Sequence, residues 1–470
     1  MQIVCIILAP IKISVYILND YVFKIAVHTK DYKMNKEFLR QIVIDQKDAM
    51  TKSLSSDSII ERDGLDKCCA MLKNPNILLV TGMRRAGKSV FAHLLSRRST
   101  YSFLSFDDER LIEFKSEHFQ QLIEVFHELN GETDYYLFDE IQNISGWELF
   151  VNRIRMNNKI IVTGSNSNLM SSEMGTHLTG RFDVWQLFPM SFLEFLTYKK
   201  HAYNSAGAFS TVQKSALKVL FDEYLALGGI FEGHLFGQQR LRTMFSAVLA
   251  KDILMRHHVR YPVVLEQLAL ILFNSFAQKI SFKNITARCE IRSSHTITEY
   301  TNYLESTFLV FLVRKFSFRL KEQQAALKKV YCIDNGLLSA MTMLFSPNKG
   351  RFLENLVAIE LKKRESLGRG DVFYWDNYRQ ECDFVVKTGA KISHAYQVCF
   401  TFSEENSKRE LNGLCAALDQ FNLTQGTILT DDQEELIEHG NFQITLLPVW
   451  KWLLLPTTHG HEHRAPTKIF

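Results

Sequence analysis

No stretch of this 470-residue sequence approaches the roughly 18 consecutive apolar positions that a membrane-spanning helix needs. The most apolar N-terminal segments, Ile3 to Leu8 and Val15 to Val27, are broken by Pro10, Lys12, Asn19, Asp20 and Lys24. Neither a basic start nor a small-residue cleavage site marks a secretory leader. Residues 1–33 are therefore read as a poorly ordered extension ahead of a start at Met34, and a membrane partner is not expected. The 8 cysteines are scattered, with no C-x-x-C pair and no ligand-spaced cluster. That excludes a disulfide framework and a structural zinc site, and it predicts a reducing, cytoplasmic setting.

Charge of one sign is also lacking, since the net value is only +4. Its distribution is uneven, because residues 278–329 carry ten Lys or Arg against four Asp or Glu and the remainder sums to −2. A local basic surface is expected there. A composition of 46% hydrophobic and 23% charged residues is that of a globular protein, and the length exceeds what one core serves.

What is present is a phosphate-binding loop, Gly82-Met83-Arg84-Arg85-Ala86-Gly87-Lys88-Ser89, placed between the apolar strand Ile77-Leu78-Leu79-Val80 and a helix. Its glycines let successive backbone N–H groups curl around a phosphate at a helix N-terminus. The expected nucleotide contacts are Gly82, Arg84, Arg85, Ala86, Gly87, Lys88, Ser89 and Val90, with Lys88 reaching the β- and γ-phosphates and Ser89 holding Mg²⁺. About fifty residues on, the apolar strand Tyr135-Tyr136-Leu137-Phe138 ends in Asp139-Glu140. Asp139 suits Mg²⁺ through water, and Glu140 suits polarisation of an attacking water. A further strand, Lys159 to Thr163, ends in Gly164-Ser165-Asn166-Ser167. Ser165 or Asn166 there would sense the γ-phosphate or orient the water, although the same residues are ordinary turn formers. Arg181 is the candidate cation for charge spreading over the transferred group.

Alternation of strands and helices from 76 to about 190 predicts a parallel sheet with ligands at strand C-terminal ends. The expected domains are an extension (1–58), a phosphate-loop ATPase domain (59–200), a helical connector (201–262), a winged helix-turn-helix (263–345) and an α/β domain (346–470). Three helices and a hairpin support the winged helix, with Lys283, Arg292, His295, Arg319 and Lys321 as candidate nucleic-acid contacts. In the last segment Glu354 lies on a helix, Glu381 and Asp383 on one strand and Gln397 on the next, the skeleton of a metal-dependent nuclease. A neutral amide at Gln397 and a thiol at Cys399 stand where such a site needs an acid and a lysine, so cleavage is not expected.

The stretches Gly82 to Ser89, Leu137-Phe138-Asp139-Glu140-Ile141-Gln142-Asn143, Val162 to Ser167, Leu178-Thr179-Gly180-Arg181, Phe188-Pro189-Met190-Ser191-Phe192, Tyr331-Cys332-Ile333-Asp334-Asn335-Gly336 and Glu381-Cys382-Asp383-Phe384 together resemble a family of bacterial and archaeal AAA-superfamily ATPases. In that family a phosphate-loop domain is joined to a winged helix and a C-terminal domain of unknown function similar to PD-(D/E)xK nucleases. The resemblance implies ATP and Mg²⁺ and supplies no biological task. Three functions remain open: an ATPase controlling modules on DNA or a protein partner, an ATP-dependent nuclease, and a nucleotide-gated switch without nucleic acid. A homo-oligomer, with Arg181 acting in its own or a neighbour's site, also remains open.

Overall fold

The computed structural model describes residues 3–8, 11–17, 23–28, 34–54, 59–97, 99–165, 178, 180–202, 209–291, 293–342 and 348–455. Strands β1 (Ile3–Leu8), β2 (Ile11–Ile17) and β3 (Phe23–His28) pair antiparallel as a separate three-stranded sheet, where the sequence reading expects an extension without regular structure. The alternation in Ile11-Lys12-Ile13-Ser14-Val15 has the period of a strand, which accounts for the difference.

Helix α1 (Lys36–Leu54) buries Leu39, Ile42 and Val43, a spacing of three and four that puts one stripe on the core. After α2 (Leu65–Met71) the expected alternation begins, with β4 (Ile77–Thr81), α3 (Lys88–Ser96), β5 (Tyr101–Ser105), α4 (Phe119–Asn130), β6 (Tyr135–Asp139), α5 (Trp147–Ile154), β7 (Lys159–Gly164) and β8 (Phe182–Gln186). These strands form one parallel sheet in the order β5-β6-β7-β4-β8. Every residue of β4 is buried, as its unbroken apolar run requires of a strand covered on both faces. This is the phosphate-loop sheet, and all five strand C-termini point to one edge.

Helices Phe192–Tyr198, Thr211–Leu227, Phe231–Phe236 and Gln238–Ala247 follow, the last running directly into a π-helical segment, Val248–Leu254. Capping boxes at Ser191 with Glu194 and at Ser210 with Gln213 start the first two. Helices Pro262–Asn274, Phe282–Arg288 and Ser294–Ser306 follow, with β9 (Gln278–Ile280) between the first two, and β10 (Val310–Lys315) and β9 each pair antiparallel with β11 (Lys328–Cys332).

The hairpin does not stand free. Arg314 and Lys315 of β10 pair in parallel with Phe373 and Tyr374 of β12 (Asp371–Asp376), which joins it to β13 (Glu381–Thr388), β14 (Lys391–Val398), β15 (Gln425–Thr430), β16 (Glu435–His439) and β17 (Phe442–Pro448). The result is one nine-stranded mixed sheet ordered β16-β17-β15-β14-β13-β12-β10-β11-β9. The boundary expected at 345 thus falls inside a continuous sheet. One apolar core, including Phe192, Phe221, Phe273, Leu304, Tyr331, Leu353 and Trp450, spans the connector and this sheet.

Two residues ahead of α2 lock the halves together. Arg62 donates to the Glu194 carboxylate (2.8 Å), to the Ala86 carbonyl in the phosphate loop (2.8 Å) and to the Phe188 carbonyl (2.7 Å). Asp63 pairs at 3.0 Å with Lys363, near the end of helix Lys349–Ser366, whose second turn carries Glu354.

Candidate nucleotide site and C-terminal cavity

The loop after β4 has the backbone its glycines permit. Gly82 has φ +144, and a Cβ there would lie 2.2 Å from the Leu187 carbonyl oxygen. Gly87 has φ +90 and caps α3, while Arg85 takes the left-handed φ of 68, which costs a non-glycine residue on the order of 1 kcal/mol. Lys88 is buried, and its ammonium donates to the Met83 carbonyl at 3.0 Å, so it reaches back over the loop. Val90 lies half-buried in the first turn of α3.

Asp139, at the end of β6, accepts from the hydroxyls of Ser89 (2.8 Å), Ser105 (2.9 Å) and Thr163. Ser89 and Asp139 thus offer a hydroxyl and a carboxylate oxygen side by side, the hard oxygen donors that Mg²⁺ takes. Glu140 follows with φ 53, its carboxylate accepting from Gln142 (2.5 Å) and Ser165 (3.3 Å). Burial raises the Glu140 carboxyl above its usual range, opposed by the nearby Lys88 charge. Burial likewise lowers Lys88, opposed by Glu140 and Asp139. A buried carboxylate poised this way is suited to accepting a proton.

The structure brings Lys88, Ser89, Asp139, Glu140 and Ser165 to one edge, while Asn166 lies outside the described residues. It does not bring Arg181 there. The Arg181 carbonyl accepts from Ile77 N–H at the opening of β4, and its guanidinium donates to Asn152 at 3.1 Å. The five residues of β4 separate it from the loop by about 16 Å at the usual strand rise. In its own subunit Arg181 therefore faces the wrong end of the sheet.

In its place the connector supplies groups that the sequence reading missed. Asp252, 1% exposed in the π-helical segment, accepts two bonds from the Arg84 guanidinium, at 2.8 and 3.1 Å, and one from Ser165 at 3.3 Å. One guanidinium nitrogen of Arg256 lies 3.7 Å from Asp252 and 3.8 Å from Glu140. Arg85 pairs with Glu232 at 2.9 Å, and Arg240 holds the other oxygen of that carboxylate at 2.6 Å. Both arginines of the loop therefore end on connector carboxylates. The available signal was an acid inside the apolar run Val248-Leu249-Ala250-Lys251-Asp252-Ile253-Leu254, with an arginine four residues on.

The residues proposed for nucleic acid divide differently. Lys283, His295, Arg319 and Lys321 are exposed, on helix Phe282–Arg288, on helix Ser294–Ser306 and at the short helix Leu320–Ala325. Arg292 lies outside the described residues. The basic excess of 278–329 does not all face solvent, however. Lys279 pairs with Asp376 (2.5 Å) and Glu381 (2.7 Å), and Lys315 with Asp376 (3.0 Å).

Lys329 is the third of these inward lysines. Its ammonium, in a side chain 4% exposed, lies 2.7 Å from Glu381, 2.8 Å from Asp383 and 3.1 Å from Glu354. Burial opposes its charge, but the three carboxylates hold it well above the usual lysine value. Tyr331 also donates to Glu354, at 2.7 Å. Beside this cluster opens a cavity of about 450 Å³, whose wall includes Glu354, Asp383, Gln397, Arg379, Arg409 and Glu410. Gln397 accepts from the Asp383 N–H at 3.2 Å and donates to the buried Glu410 at 2.8 Å. Cys399 is buried, and burial pushes its thiol up to about 12. Glu410, on helix Glu404–Gln420, thus stands against Gln397, and Lys329, on β11, against Glu354 and Asp383. Among the described residues no group of three or more His, Cys, Asp or Glu is arranged to hold a metal ion. None of their helices is long and apolar enough to cross a membrane.

Residues 74–196 match a family described as an AAA domain, and residues 233–348 match one described as a domain of unknown function, DUF8612. The uncharacterized protein MJ1544 of Methanocaldococcus jannaschii is 31% identical over 407 residues, covering 81% of this chain and 89% of that protein. An uncharacterized protein of Haemophilus influenzae is 30% identical over 416 residues, covering 84% and 99%. Among solved structures, the Walker-type ATPase PABY2304 of Pyrococcus abyssi aligns with a TM-score of 0.39 at 15% identity, over 60% of this chain and 96% of that one.

Proposed function

We propose, for a chain that belongs to the family of archaeal and bacterial AAA-type P-loop ATPases, that it binds ATP with Mg²⁺, hydrolyses it slowly and uses nucleotide state to reposition its C-terminal half on DNA or a protein partner. The observation that carries this is the Ser89 hydroxyl at 2.8 Å from the Asp139 carboxylate, directly behind the buried Lys88 and beside Glu140. In this reading the loop N–H groups and Lys88 bind the phosphates, Ser89 and Asp139 hold Mg²⁺, and Glu140 takes the proton of the attacking water with Ser165 steadying it. Mg²⁺, when bound, supplies charge neutralisation on the transferred phosphoryl group. Transmission is supported by Arg62, which grips the loop at Ala86, and by Asp63, which holds Lys363 of the Glu354 helix. Lys88→Ala should abolish ATP binding in a filter or calorimetric assay. Wild-type protein that neither binds nor hydrolyses ATP overturns the proposal.

For the partner, the exposed Lys283, His295, Arg319 and Lys321 support contact with nucleic-acid phosphates. Affinity for duplex DNA should then fall steeply with salt, and absence of binding at low salt leaves a protein partner as the reading. A second reading, phosphodiester cleavage in the C-terminal cavity, draws its support from Lys329, which places a lysine beside Glu354 and Asp383. Mg²⁺-dependent nicking lost in Asp383→Ala would support it, whereas nicking unchanged by that substitution belongs to a contaminant.

A further inference from the structure

The nucleotide site carries a carboxylate that phosphate chemistry does not need. Asp252 comes from the connector rather than the sheet, is 1% exposed, and is bonded in bidentate fashion by the guanidinium of Arg84, a residue of the phosphate loop itself. Arg256, one turn on, sits between Asp252 and Glu140 at 3.7 and 3.8 Å. Planar two-bond pairing with arginine is the geometry that a phosphate also presents. The segment holding Asp252 is π-helical, and this widening interrupts the regular ladder of Gln238–Ala247 where the carboxylate enters the site.

We propose that Asp252 is a built-in surrogate for nucleotide phosphate, a positioning residue that holds Arg84 and Arg256 until ATP competes for them. The inference rests on the ATP-binding reading above. A triphosphate in the loop brings several negative charges to the edge where Asp252 offers one, so the guanidinium groups exchange partners. The connector, no longer held at Asp252, is then free to shift against the sheet. Glu232 makes a second, more exposed hold of the same kind on Arg85, 2.9 Å away. Because coupling is reciprocal, a clasp that ATP loosens must also weaken ATP binding.

Removing the carboxylate therefore tightens ATP binding, whereas loss of a merely structural buried pair would weaken it or leave it unchanged. The test is the ATP dissociation constant of wild type, Asp252→Asn and Glu232→Gln by calorimetry, with hydrogen exchange across residues 238–256 with and without a non-hydrolysable ATP analogue. Asp252→Asn should bind ATP on the order of tenfold more tightly, the factor that one strong charge-assisted contact supplies. Glu232→Gln should shift affinity the same way by about twofold, as expected of a half-exposed pair. In wild type the analogue should speed exchange in residues 248–256, and in Asp252→Asn that exchange should be fast already. Equal or weaker ATP binding by folded Asp252→Asn overturns the clasp. Should that variant not fold, unchanged or weaker binding by Glu232→Gln together with unaltered exchange in wild type overturns it. Wild type that fails to bind ATP overturns the ATP reading itself, and so separates the two failures.

Discussion

The phosphate-loop site and the C-terminal cavity both gather carboxylates around a buried lysine, yet they are built in opposite ways. In the first, Lys88 and Ser89 are neighbours in the chain, and Asp139 and Glu140 end one strand two places away in the sheet. In the second, Lys329 belongs to β11, Glu354 to a helix, Asp383 to β13 and Glu410 to another helix. A loop that wraps a phosphate through its own backbone must be contiguous, because successive N–H groups do the binding. A cluster of side chains has no such requirement, so its charges can come from any element that reaches the spot.

Lys88→Ala tests the contiguous site most severely, with ATP binding expected to disappear in calorimetry. For the dispersed cluster the largest effect is on folding. Lys329→Met leaves Asp383 and the largely buried Glu354 without their shared cation, while Glu381 keeps Lys279, and should cost about 3–5 kcal/mol in chemical denaturation. A loss below about 1 kcal/mol would mean that Asp383 and Glu354 do not depend on it. Glu140→Gln should keep ATP affinity and lower kcat by a factor on the order of 10²–10³ in single-turnover assays, in the range of lost transition-state contacts. Gly82→Ala places a Cβ against the Leu187 carbonyl and should weaken ATP binding and thermal stability together. Smallest is Arg181→Ala, which should leave turnover by dilute protein unchanged. A drop that appears only as protein concentration rises would place Arg181 in a neighbouring subunit's site.

Much of the first region could be read from residue order. The five strands, their parallel pairing, and the placing of Lys88, Ser89, Asp139 and Glu140 follow from apolar runs punctuated by glycine and acid. What escaped was Asp252, since a single acid in an apolar helix looks the same whether it faces solvent or a guanidinium. The position of Arg181 in its own subunit escaped for a related reason. Being close in sequence to β7 says nothing about which end of β8 it occupies, and the Ile77 hydrogen bond puts it at the opening end. Within the basic stretch 278–329, Lys279, Lys315 and Lys329 turn inward rather than to the surface, because their acid partners, Asp376, Glu381 and Asp383, lie in a segment about fifty or more residues later.

Local order was enough for the loop because phosphate recognition there is written in backbone conformation, and backbone conformation is set by glycine, strand and helix signals within a few residues. The cavity needed the tertiary fold. Parallel pairing of Arg314 and Lys315 with Phe373 and Tyr374 merges the hairpin with the C-terminal strands and carries Lys329 to Glu354 and Asp383. Coulombic partners are chosen by distance in space, and only the merged sheet makes that distance short.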